Sequence, residues 1–130
     1  MNTEMKMNEN GKPKVLITDD SIVMRKMINE ILGTNGFEIV GEAKNGGEAL
    51  DLYKKLRPDL VTMDIVMPRE DGIETLKKII KYDPNAKIII VSGLHQKALL
   101  FEAMETGAKD YVIKPFEKEE LLEAVKKYAN

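Results

Sequence analysis

The chain has no cysteine, which excludes disulfides and any thiolate metal centre. It has no basic excess either: 20 lysines and arginines face 22 aspartates and glutamates, for a formal charge of −2 and a pI near 5.5. A general nucleic-acid binder or a membrane-surface protein needs the opposite balance. No apolar run approaches the roughly 18 residues of a membrane span, and residues 1–12 lack the apolar core of a secretion signal. Histidine occurs once, as His95, which reads as a solvated loop residue. What remains is 130 residues, 32% of them charged, enough for one domain with a real core. Residues 1–13 are expected to be a disordered lead-in, and 14–130 the domain.

Within that domain, apolar strand-length runs alternate with segments of helical period. Strands are expected at 14–18, 37–40, 60–63, 87–91 and 110–113. Helices are expected over 22–32, from Asn45-Gly46-Gly47 to Pro58, and over 73–82, 97–106 and 117–128. Asp20 or Ser21 would cap the first helix. Of the eight methionines, three fall in the lead-in and the others are expected in the core. Ala98, Leu99, Leu100 and Phe101 span about 300° of helix surface, so one of them, expected to be Leu100, must face solvent. The strands are continuously apolar rather than alternating, which implies burial on two faces and hence a parallel sheet covered by helices. The fold class is a doubly wound α/β domain.

The centre of the chain is PDLVTMDIVMPREDG, residues 58–72. It delivers a carboxylate, Asp64, at the end of a buried strand. Other strands end in Asp19-Asp20, in Ser92-Gly93 and in Lys114-Pro115. Taken singly, these are a helix cap, a turn and a loop lysine. In a parallel sheet, however, all carboxyl ends share one edge, where open α/β sheets place their chemistry. Three carboxylates there repel one another unless a cation neutralises them. All-oxygen ligands in a site open to water favour Mg²⁺. With the lysine and the serine hydroxyl, the set has the parts needed to hold a phosphoryl group.

The acidic pair together with MDIVMPREDG, VSG and KDYVIKPF resembles the receiver domain of two-component response regulators. The match covers residues 14–130 and lies nearest the single-domain regulators of chemotaxis. The resemblance implies a five-stranded sheet of order 2-1-3-4-5 with five helices. It implies that Asp64 accepts a phosphoryl group from a histidine kinase. Asp19 and Asp20, with Asp64 and the backbone carbonyl of Val66, are implied as Mg²⁺ ligands. Ser92 and Lys114 would contact the phosphoryl group, Lys114-Pro115 would be cis, and Ser92 and Tyr111 would form a switch in which the ring turns inward. The implied partner surface contains Lys97, Leu100, Ile113 and Phe116. It would serve a downstream target such as a flagellar or archaellar motor adaptor. A cytoplasmic monomer is implied, with no output domain after Asn130 and no nucleic acid bound in cis. Its chemistry would stop at its own phosphoryl transfer and slow dephosphorylation. Val66, Gly93 and Leu94 depart from the commoner family residues and bear on the lifetime of the phosphorylated state.

Three other functions compete. A haloacid-dehalogenase-like phosphatase also uses a strand-end aspartate, but wants a second aspartate two residues later as general acid; here that residue is Val66. A flavin or nucleotide site needs a Gly- or Ser/Thr-rich loop after the first strand, where Asp19-Asp20 would repel phosphate. A phosphorelay intermediate would share every motif above.

Overall fold

The computed structural model describes residues 11–67, 70–93 and 95–129. The expected disorder of 1–10, and any role of Leu94, lie outside the described residues. Five parallel strands, β1 (Lys14–Thr18), β2 (Glu38–Ala43), β3 (Leu60–Met63), β4 (Ile88–Gly93) and β5 (Asp110–Lys114), form one sheet. Their order is 2-1-3-4-5. Five helices connect them: α1 (Ile22–Gly33), α2 (Gly46–Leu56), α3 (Gly72–Tyr82), α4 (Lys97–Thr106) and α5 (Lys118–Lys127).

The apolar strands divide their side chains between two cores, as the period of two requires. Val15, Ile17, Leu60, Ile89, Val91 and Val112 pack with Ile28 and Leu32 of α1 and with Leu121 and Val125 of α5. On the other face Leu16, Val61, Met63, Ile88 and Ile90 pack with Tyr53 of α2, Leu76 and Ile79 of α3 and Ala103 of α4. Each large side chain so buried contributes about 1.5–3 kcal/mol. The scaffold can therefore carry charge at its rim without relying on it.

Local signals set where elements begin. The Ser21 hydroxyl accepts the Met24 N–H at 3.1 Å, so Ser21 rather than Asp20 caps α1. Asn45 Oδ1 accepts the Glu48 N–H at 2.9 Å and caps α2.

Several expectations need correction. Pro13 is buried and its carbonyl accepts the Glu38 N–H at 2.9 Å, so residue 13 already belongs to the fold. β2 runs on to Ala43, pairing with β1 to its end past a register shift at Val40. β4 and β5 also run further than expected: Ser92 pairs with Ile113, and Gly93 with Lys114. From the sequence no strand is expected between 63 and 73. Val66-Met67 and Glu70-Asp71 form a two-residue antiparallel hairpin. Met27 lies 44% exposed on α1 rather than in the core. Leu100 is buried, whereas Phe101, at 67%, and Ala98 are the exposed residues of its run. α4 packs on α3 and β4 through the row Leu100–Ala103, and that contact fixes the phase of the helix.

Tyr53 couples this packing to pH. Its hydroxyl donates to Asp83 Oδ2 at 2.7 Å. Burial first, and then the hydrogen bond to Asp83, raise its pKa above the ordinary phenol value. The folded state thus holds this proton more tightly than the unfolded chain. The associated stability is complete below about pH 10, the unfolded value, and is lost as pH rises above it. In urea unfolding at pH 9 and 11, wild type should lose more stability between the two than Tyr53→Phe. Equal losses would assign the alkaline sensitivity elsewhere.

Candidate functional site

Asp19 and Asp64 each continue the sheet ladder one step past the end of their strand. The Asp19 N–H donates to the Ala43 carbonyl at 3.0 Å, and the Asp64 N–H to the Thr18 carbonyl at 3.0 Å. Their side chains are therefore aimed by backbone already locked in the sheet. Asp19 Oδ1 accepts the Ser21 N–H at 2.9 Å, and Asp64 Oδ1 accepts the Val66 N–H at 3.1 Å. Lys114, arriving on β5, bridges the two remaining oxygens. Its Nζ lies 2.8 Å from Asp19 Oδ2 and 3.1 Å from Asp64 Oδ2. Arg25 of α1 steadies the rim, donating from Nη1 to the Asp19 carbonyl at 2.7 Å and from Nε to Glu42 at 3.1 Å.

Gly72 closes the loop over the site. Its N–H donates to the Ile65 carbonyl at 3.0 Å. A β-carbon there would stand 2.3 Å from that oxygen and 2.6 Å from the Ile65 Cα. The loop carrying Asp64 can lie this close to the start of α3 only because residue 72 has no side chain.

The charges do not balance. Burial, and then the Asp19 charge, push the Asp64 carboxyl above the usual carboxylate range, against the opposing pull of Lys114. Burial would lower Lys114, yet hydrogen bonding and attraction to Asp19 and Asp64 leave it raised. Carboxylate oxygens of Asp19, Asp20 and Asp64 lie within 4.8 Å of one another, Asp20 at the exposed mouth. Three carboxylates against one ammonium leave a deficit of positive charge, and all the donors are oxygens. The residues present fit a hard divalent cation that keeps some of its water.

The structure thus brings Asp19, Asp20, Asp64 and Lys114 together. Ser92 is fully buried at the end of β4, but its hydroxyl donates to the Gln96 side chain. Gln96 carried no motif in the sequence, and nothing short of the loop geometry reveals it. Tyr111 is 46% exposed, its ring outward. It lines a groove with Lys97, Leu100, Phe101, Met104 and Ile113. Of the expected partner residues, Lys97 and Ile113 do face this groove and Leu100 forms part of its wall. Phe116 does not line it; it packs against the core between the sheet and α1/α5. Phe101 and Met104 were missed, because their exposure depends on the phase of α4. Lys114-Pro115 is cis. Val66 is 43% exposed beside the site, and His95 is exposed in the loop before α4. Among the described residues no helix is long and apolar enough to cross a membrane.

Known proteins are similar to this chain in sequence and fold. Residues 15–126 match the response regulator receiver domain. The chain is 50% identical over 114 residues to chemotaxis protein CheY of Thermotoga maritima, covering 88% of this chain and 95% of that one. It is 40% identical over 122 residues to sporulation initiation phosphotransferase F of Bacillus subtilis, covering 94% of each. Its fold superposes with a TM-score of 0.85 on a crystal structure of the CheX–CheY–BeF3–Mg²⁺ complex from Borrelia burgdorferi, at 37% identity and 93% coverage of both chains. With the fold, the rim of carboxylates and the sequence in agreement, the chain belongs to the family of response regulator receiver domains.

Proposed function

We propose that the chain is a phosphorylation-dependent switch of a two-component system, with Asp64 as the acceptor of a phosphoryl group from a histidine kinase. The observation that carries this reading is the Asp64 carboxylate itself. It is held through both oxygens, by the Val66 N–H and by Lys114, beside two further carboxylates. A carboxylate fixed in this way loses little freedom when it attacks. One oxygen of Asp64 bonds to the phosphorus of a phosphohistidine, the P–N bond breaks, and the imidazole nitrogen leaves with the electron pair. The Lys114 ammonium is positioned to offset charge on the arriving phosphoryl oxygens. Asp19, Asp20 and Asp64, with the Val66 carbonyl, would hold Mg²⁺, which when bound supplies the positive charge that the site lacks. The chain promotes only its own phosphorylation and slow dephosphorylation. Val66 stands where a phosphatase of external substrates would place its general acid.

Identity to chemotaxis proteins supports an output in chemotaxis and motility, and the chain would act as a cytoplasmic monomer. The partners would be a histidine kinase of that system and a motor adaptor. Phosphorelay is the second reading, favoured by the 40% identity to a sporulation phosphotransferase. The primary test is intact-mass measurement of the protein incubated with acetyl phosphate, with and without Mg²⁺. One phosphoryl adduct should form in Mg²⁺ alone and map to the peptide containing Asp64. An adduct elsewhere, or none, sinks the proposal.

A further inference from the structure

The buried end of β4 holds a competition that the site's motifs do not reveal. Ser92 is fully buried and has one hydroxyl proton, so it can donate once. That proton goes to Gln96 Oε1, and the same oxygen accepts the Gly93 N–H at 3.1 Å. A backbone N–H can only donate, so it fixes the Gln96 amide with its oxygen inward and rules out the flipped form. The Gln96 N–H in turn donates to the Gly93 carbonyl at 3.2 Å. Gln96 sits at the N-cap of α4 yet makes no capping bond with its side chain. It turns back over its own loop instead of serving the helix it begins.

We propose that Gln96 is a positioning residue that competes with the phosphoryl group on Asp64 for the Ser92 hydroxyl and the Gly93 amide. The inference rests on Asp64 being the acceptor. β4 lies beside β3, with Ile90 level with Met63, so Ser92 and Gly93 end next to the strand that delivers Asp64. Phosphoryl oxygens are acceptors only, and these two donors at the end of β4 are already taken. Phosphorylation must draw them off Gln96, whose backbone carbonyl accepts the Leu100 N–H in the first turn of α4. The same exchange of hydrogen bonds therefore tightens the phosphoryl site and frees the Gln96 side chain at the start of a helix that lines the groove of Phe101 and Tyr111.

The full chain should be titrated with beryllofluoride in Mg²⁺, an acyl-phosphate mimic observable by fluorine NMR. Gln96→Met keeps the length and removes the acceptor; Gln96→Ala removes both. Each should bind beryllofluoride roughly tenfold more tightly than wild type, since the two neutral hydrogen bonds to Gln96 no longer have to be broken. Gln96→Glu restores an acceptor and should return affinity to the wild-type level or below. In the protein without beryllofluoride, hydrogen exchange at the Gly93 amide should quicken in Gln96→Met and slow again in Gln96→Glu. A merely structural glutamine would not produce that reversal. If wild type binds but the Met and Ala variants bind no more tightly, or Gly93 exchange does not change, the competition is overturned and the acceptor reading stands. If wild type takes up no beryllofluoride at all, the two fall together.

Discussion

Asp64→Asn should take up no phosphoryl group from acetyl phosphate or from a kinase, and in metal-free buffer it should melt at a higher temperature than wild type. The first effect follows from the loss of the only nucleophilic carboxylate that Lys114 and the Val66 N–H hold in place. The second follows from the direction of the Asp64 pKa. A carboxyl raised in the folded protein, chiefly by burial, binds its proton more tightly there than when unfolded. Its ionised form therefore costs stability at neutral pH. Asparagine keeps the shape and the acceptor for the Val66 N–H without the charge, and Lys114 keeps Asp19. The gain should shrink as pH falls towards about 4, the unfolded carboxylate value, and vanish below it. A variant that melts lower at pH 7 would show the Lys114 pair outweighing burial. A phosphoryl adduct at wild-type yield would remove Asp64 from its role. Opposite signs for activity and stability at one residue are expected where a site is kept charged for its chemistry.

Gly72→Ala carries the second large effect, on the fold itself. Its β-carbon would sit 2.3 Å from the Ile65 carbonyl oxygen and 2.7 Å from the Ile65 carbonyl carbon. These are backbone atoms and cannot rotate away. The Ile65 backbone follows Asp64 directly, so the loop can relieve the clash only by moving the acceptor. We expect about 3 kcal/mol of destabilisation, the upper range for overpacking. That should lower the thermal midpoint by roughly 10 °C and slow phosphoryl uptake in the fraction that stays folded. Gly93→Ala is the internal control. There a β-carbon meets nothing nearer than the His95 ring at 3.5 Å, so stability should change by less than about 0.5 kcal/mol. Equal midpoints for the two variants would mean that the loop after β3 yields.

The residues that carried the sequence reading were those whose role depends only on position along an element. Asp64 ends an apolar run, and any parallel sheet brings such an end to the same edge as Asp19 and Lys114. Breakers such as Pro58, Gly107 and the pair Asp83-Pro84 placed element ends to within a residue or two. What could not be read depends on phase or on loop closure. Leu100 and Phe101 are equally apolar neighbours, and only the packing of α4 on α3 decides which is buried. Phe116 lies between the end of β5 and the start of α5, so no period fixes its direction. The hairpin at Val66 and Asp71 is two residues long on each side, too short for an alternation to register. Gln96 reads as any polar residue before a helix until the loop folds it back over Ser92.

The bridge from Lys114 to the two aspartates also sets an order in time. Lys114 lies 95 positions after Asp19 and 50 after Asp64. At a synthesis rate of about 5–20 residues per second, Asp64 emerges roughly 3–10 s, and Asp19 roughly 5–19 s, before the lysine that bridges them. During that interval β1, β2 and β3 can pair, but closing their acidic edge means burying carboxylates with no ammonium in reach. The nascent chain must keep that edge wet, or borrow a cation from its surroundings, until β5 is made. The last strand to be synthesised thus completes the sheet and brings the ammonium that bridges its acidic edge. A circular permutant that opens between α3 and β4, and so places β4 and β5 first, would reverse that order and deliver the lysine ahead of the acids.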